Sequence, residues 1–133
     1  MIALILGGAP SVWTEFATAK AMLGAGRYVV VAANLAGRDA PDRIDAWASL
    51  HSDLIAGWAA DRKGNADFRA FTPTRHSDAL AAEIVPERWE GSSGLYAVQV
   101  ALYEVGASAA ILCGVPMDSS AGHFEDPGLW AST

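Results

Sequence analysis

Glycines, serines, one asparagine and a few histidines carry what chemistry this chain offers, and most of them follow short apolar runs. Gly7 and Gly8 break the first run, residues 1–6, and Ser11 precedes an amphipathic segment. That is the order of strand, tight turn and helix start. A turn of this kind presents backbone N–H groups at the carboxyl edge of a sheet, where a phosphate or other anion settles. Gly91-Ser92-Ser93-Gly94 repeats the arrangement before another apolar helix and adds hydroxyls to the amides. Two such turns suggest one nucleotide-sized site. Beside that reading stands a plainer one: glycine turns a chain without a Cβ clash, and a serine caps a helix.

Asn34 ends the second apolar run, where its amide can read a base edge or a sugar hydroxyl; asparagine equally suits a turn. His51 and His123 follow or lie near strand ends, and imidazole titrates where protons are exchanged near neutrality. Asp53 and Asp118 are placed to orient an imidazole or to hold a divalent ion that shields phosphate. A packing or hydrogen-bonding role is the alternative for each histidine. His76, between Arg75 and Ser77 in a polar stretch, is the weakest of the three candidates. No G-x-G-x-x-G pattern occurs and no acidic residue ends the second strand, which disfavours an NAD site. The Lys-Ser/Thr pair of a P-loop is absent from the first turn as well.

The elements that must position these residues alternate between strand and helix. Strands are predicted over 2–6, 28–33, 47–50, 68–71 and 109–115. The first helix buries Val12, Phe16, Ala19 and Leu23 and stops at Gly24 and Gly26. Residues 35–38 read as a loop, 41–46 as a short helix, and Ser52 as the cap of a helix that buries Leu54, Ile55 and Trp58. A helical turn is expected within 78–83. From Ser93 to Val105 the apolar spacing is helical again, with Gly106 as its stop. Continuous rather than alternating apolarity marks parallel strands covered on both faces, so the fold class is a compact α/β sandwich with a mostly parallel central sheet. Right-handed crossovers then bring Gly8, Asn34 and Ser93 to one cleft.

Composition sets the outer limits. The chain has 133 residues, 52% of them hydrophobic and 18% charged, enough for one domain with a real core across 1–133. Nine Lys and Arg against fifteen Asp and Glu give a net charge of -6, which argues against a broad nucleic-acid surface but not against a mononucleotide. Cys113 sits in an apolar run and reads as a buried small hydrophobe. No stretch approaches the length of a transmembrane segment, and a strand beginning at Met1 leaves no signal peptide, so a cytoplasmic, reducing location is expected.

With these residues the chain resembles a Rossmann-like superfamily that includes MptE-like pterin diphosphokinases and bacterial CMP-sialic-acid-dependent sialyltransferases. The similarity runs through Gly7 to Ser11, Asn34, Trp47 to Asp53, Gly91-Ser92-Ser93-Gly94 and Gly114 to Asp118. From Gly91 to Phe124 it is similar to small proteins of tailed phages and prophages. The resemblance implies a three-layer Rossmann-like sandwich in which Gly8, Asn34 and Ser93 contact a cytidine nucleotide. Its sialyltransferase side implies glycosyl transfer, although no segment here corresponds to the catalytic lid. Its MptE-like side implies phosphoryl transfer with Mg²⁺ and Asp118 as a candidate. Nucleotide or nucleotide-sugar binding is therefore the leading expectation, in the cytoplasm of a host cell. The alternative is a non-catalytic phage structural or protein-interaction module, virion-associated, with a protein partner or homo-oligomer reached through some of its five tryptophans, Trp130 among them.

Overall fold

In the computed structural model, which describes residues 1–76 and 80–116, the apolar runs form the middle of one sheet. Strand β1 (Ile2–Leu6) lies between β2 (Tyr28–Ala33) and β6 (Ala109–Cys113). It is parallel to both, with Ile2 level with Tyr28 on one side and Ala109 on the other. Beyond β2 follow β3 (Ala46–Ala48), β4 (Arg69–Thr72) and β5 (Ala82–Ile84). The six-stranded sheet has the order β5-β4-β3-β2-β1-β6, and every pairing is parallel.

Both faces of this sheet are covered, which is why β1 and β2 read as unbroken apolar runs. Side chains alternate along β1: Leu4 and Leu6 enter one core, Ala3 and Ile5 the other, and all four are fully buried. The first core lies under α1 (Val12–Leu23), α2 (Leu35–Asp39) and α3 (Ile55–Asp61), with Phe16, Ala36, Trp47 and Ile55 among its members. The second lies under α4 (Ser93–Gln99) and its π-helical continuation Val100–Val105, whose Tyr96, Ala97, Val100 and Ala101 pack on Ile5, Val31 and Phe71. Gly106, at φ 87, ends that helix in the left-handed conformation glycine tolerates. The result is the three-layer Rossmann-like sandwich. The chain leaves β1 over the first face and returns to β6 over the second, so the strand order reverses between β1 and β6. No helix among the described residues is long and apolar enough to cross a membrane.

Several local expectations need correction. Residues 35–38 are helical, because Gly37 is a packing glycine rather than a breaker: a Cβ there would run into the Trp47 ring. Residues 41–46 form no helix. Pro41 holds Ala40 extended at ψ 126, which ends α2, and Ala46 already belongs to β3 beside Val31. Asp45 fixes that register by donating its N–H to the Val30 carbonyl (2.8 Å) and accepting the Val30 N–H on its carboxylate (2.9 Å). Ser52 caps no helix: α3 starts at Ile55, Leu54 precedes it and is exposed rather than buried, and the Ser52 hydroxyl instead meets that of Thr74 at 2.9 Å. Within 78–83, Ala82 and Glu83 lie in the edge strand β5, where Glu83 pairs with Arg69 of β4, while Asp78 lies outside the described residues.

Candidate functional site

At the reversal point the first glycine turn is built against the end of β6. The Gly7 N–H donates to the Cys113 carbonyl (2.8 Å) and the Ala9 N–H to the Gly114 carbonyl (2.9 Å). A Cβ on Gly7 would collide with the Gly114 carbonyl oxygen and stand 2.7 Å from Val115 Cγ2. One on Gly94 would stand 2.8 Å from Val115 Cγ1. The two glycine turns therefore do meet, with the Val115 side chain filling the space their missing Cβ atoms leave. Gly114, at φ 66, presses on Val12 at the start of α1. One turn further along α1, the Glu15 carboxylate accepts the Gly114 N–H through Oε1 at 2.6 Å.

Gly8 is half-buried on this turn, and Ser11 is exposed and makes no capping hydrogen bond, so the cap predicted for it is not formed. Beneath the junction, Cys113 is fully buried; burial and then the Glu15 charge push its thiol up to about 11.

The second junction lies at the ends of β2 and β3, and here side chains rather than amides do the joining. Asn34 takes φ 53 with ψ -132, positive-φ backbone outside the left-handed helical region, which glycine adopts most readily. Its carbonyl accepts the Trp47 Nε1–H at 2.7 Å, and its Oδ1 accepts the Ser49 hydroxyl at 2.7 Å. Ser49 Oγ in turn accepts the His51 N–H at 2.9 Å. From the opposite layer, the buried Ser93 accepts the Leu50 N–H on its Oγ at 3.1 Å, while Ser92 caps α4 by accepting the Leu95 N–H at 3.3 Å. Asn34 and Ser93 thus converge on the segment that follows β3. Nδ2 of Asn34 has no hydrogen-bond partner among the described residues.

Ser49 was not singled out by its spacing, yet it is fully buried and ties Asn34 to His51. A serine immediately after a buried three-residue strand is its only sequence signal. Glu15 was missed too, because its partner, Gly114, is 99 positions away.

His51 stands at this junction. Its carbonyl accepts the Leu54 N–H (3.0 Å) and the Ile55 N–H (3.2 Å), which starts α3, and its half-buried ring meets Trp58 edge-on at 6.3 Å. Asp53 is exposed, and no hydrogen bond joins it to His51. His76 lines a small pocket with Ser52, Ile55, Thr72, Leu80 and Ile84, farther along the rim at the ends of β4 and β5. His123 and Asp118 lie outside the described residues, as does Trp130. Among the described residues, no group of three or more His, Cys, Asp or Glu is disposed to hold a metal ion.

No protein-family model, curated protein or solved structure matches this chain. The chemistry of the rim resides in its own groups. It offers the Asn34 amide, the His51 imidazole and the exposed Ser11 hydroxyl, with a carboxylate, Glu15, at one end. The cations Arg43 and Arg69 sit before β3 and at the start of β4, paired with Asp67 and Glu83 at 2.8 Å, at the opposite ends of the strands. Those partners hold the Asp67 carboxyl down to about 2 and the Glu83 carboxyl below its usual range.

Proposed function

We propose that this chain binds a nucleotide or nucleotide-sugar along the carboxyl rim of its sheet, over β1, β2 and β3. The observation that carries the reading is the convergence of Asn34 and the buried Ser49 and Ser93 on one segment, with hydrogen bonds of 2.7 and 3.1 Å from opposite layers of the fold that hold the half-buried Asn34 amide at the rim. Open α/β sheets bind ligands at this edge, and an amide donor held rigidly there suits the acceptor of a base. Within the same proposal the chain is a phage-type relative of the MptE-like and sialyltransferase-like proteins. The chemistry open to such a ligand is then glycosyl transfer, or phosphoryl transfer with Mg²⁺ brought by the phosphates. His51 is the described residue suited to move a proton.

A calorimetric and thermal-shift screen of CMP, CMP-sialic acid, UDP-sugars, ATP and GTP, with and without Mg²⁺, tests it. Binding to the folded state raises the melting temperature by linkage. Weak but saturable binding of at least one nucleotide is expected; no shift and no heat at millimolar ligand sinks the reading.

A second reading, an interaction module without catalysis, is favoured by one surface cluster. Trp89 and Tyr103 are exposed, their rings 6.0 Å apart, and the Arg88 guanidinium lies 3.9 Å over the Tyr103 ring. Rigid aromatics with an arginine are the residue types that anchor protein interfaces. Trp89→Ala combined with Tyr103→Ala changes the oligomeric state or partner capture under this reading and neither under the first.

A further inference from the structure

We infer that two copies of this chain pair through their β6 strands, edge to edge and antiparallel about a two-fold axis at Ile111, so that their sheets become continuous. The pairing is independent of what the carboxyl rim binds.

The two edges of the sheet differ. β5 is three residues long and carries Glu83, which pairs with Arg69 at 2.8 Å; a short, charged edge resists pairing with another chain. β6 is five residues long, Ala109-Ala110-Ile111-Leu112-Cys113, and holds no charge, proline or glycine. Ala109 is exposed and Leu112 is 38% exposed. In a chain of net charge -6, a second copy can approach this strand without setting like charges against each other.

Hydrogen bonding fixes the register. The Gly7 N–H donates to the Cys113 carbonyl, so Cys113, Ile111 and Ala109 turn their backbone groups toward β1, and Ala110 and Leu112 turn theirs outward. These outward groups have no partner among the described residues. The next positions on either side are engaged. The Ser108 N–H donates to the Met1 carbonyl, the Gly114 N–H to Glu15, and the Gly114 carbonyl accepts the Ala9 N–H. A two-fold axis at Ile111 sets Ala110 of each copy opposite Leu112 of the other, where the two residues exchange N–H···O=C bonds in both directions. An axis at Ala110 or Leu112 would instead spend outward groups on the engaged Ser108 or Gly114.

Side chains agree with that register. Ala110 packs into the core under α4, and alternation puts Leu112 on the same face. The small Ala110 of one copy leaves room for the exposed Leu112 of the other, while Ile111 meets its own copy on the opposite face. The edges left over are both β5, so association closes at the dimer. The strand pair alone buries well under the roughly 1,200 Å² of a standard interface, so the dimer is weak, with a dissociation constant on the order of 100 μM.

Sedimentation equilibrium and amide hydrogen exchange of the full chain, from well below that value to about tenfold above it, test the inference. The mass should rise from one chain to two and no further, and the Ala110 and Leu112 amides should exchange about fivefold more slowly at the upper concentration, where most chains are paired. Leu112→Lys puts a charge on the exposed position of each strand and should weaken the dimer by about tenfold or more, with the melting temperature of the dilute protein unchanged. Ala110→Pro removes an outward N–H, which an edge strand tolerates, and should weaken the dimer likewise. A chain that stays monomeric at the upper concentration overturns the inference. So does a dimer that survives both substitutions, or one abolished by Trp89→Ala with Tyr103→Ala, which moves the contact to the aromatic cluster. Slow exchange of the Ala110 and Leu112 amides in the dilute monomer overturns it as well, because another segment of the same chain then covers the edge.

Discussion

The two junctions on the carboxyl rim use similar residue types for opposite purposes. Between β1 and β6, glycines are needed because backbone and Val115 approach too closely for a Cβ, and the amides close on the protein's own carbonyls and on Glu15. Between β2 and β3, Asn34, Ser49 and Ser93 hold the chain by side chains, leaving an amide nitrogen and an imidazole at the surface. A glycine-serine turn in a sequence is thus not yet an anion site. Whether its amides remain free depends on the neighbouring strand, and at the first turn those of Gly7 and Ala9 do not.

A methyl group at Gly7 does the most damage, because it breaks the first junction. Gly7→Ala drives a Cβ into the Gly114 carbonyl oxygen, a backbone atom with nowhere to go, and should cost about 3 kcal/mol in urea unfolding. Val115→Ala does not rescue it. Gly94→Ala meets only the Val115 side chain, 2.8 Å away, so its smaller cost of about 1 kcal/mol is largely relieved in the Gly94→Ala, Val115→Ala double variant. Equal rescue at both glycines would erase the distinction between a backbone contact and a side-chain contact.

The second junction breaks through hydrogen bonds. Ser49→Ala strands the Asn34 Oδ1 and the His51 N–H together and should cost about 2 kcal/mol. Ser93→Ala strands only the Leu50 N–H and should cost about 1 kcal/mol. The opposite order in a denaturation series would place the weight on the α4 link instead. Asn34 separates conformation from chemistry: at φ 53, Asn34→Ala should be less stable than Asn34→Gly by about 1 kcal/mol, while both lose the ligand equally.

The smallest effect is one of pH. In the folded chain the Cys113 thiol is raised to about 11, against 9.0 for an unperturbed thiol. The unfolded chain therefore releases this proton first. Stability is unaffected by the group below about pH 9 and falls as pH rises from there toward 11. Tyr96, also raised by burial, adds to the fall at higher pH. Cys113→Ala should flatten the first part of the decline; an unchanged slope would mean that the β1–β6 junction already admits water.

Much of this architecture was legible because the central strands announce themselves. β1 and β2 have the bounds their apolar runs predict, and burial on both faces is the reason. The edge was not legible: Ala82-Glu83-Ile84 is too short to show a period, and only pairing with Ala70 to Thr72 of β4 makes it a strand. Gly37 misled because a packing glycine and a turn glycine are the same letter, and only Trp47 distinguishes them. Of the site, Asn34 and Ser93 could be found as polar residues at element ends. Ser49 and Glu15 could not, since their roles depend on partners brought together by the sheet.

A single nucleoside-sized ligand bridging the two junctions is detected by an NMR titration with cytidine. The Gly114 and Leu50 backbone amides and the Asn34 side-chain amide should shift together and fit one dissociation constant. Shifts confined to Trp89 and Tyr103, or none at millimolar cytidine, would contradict it.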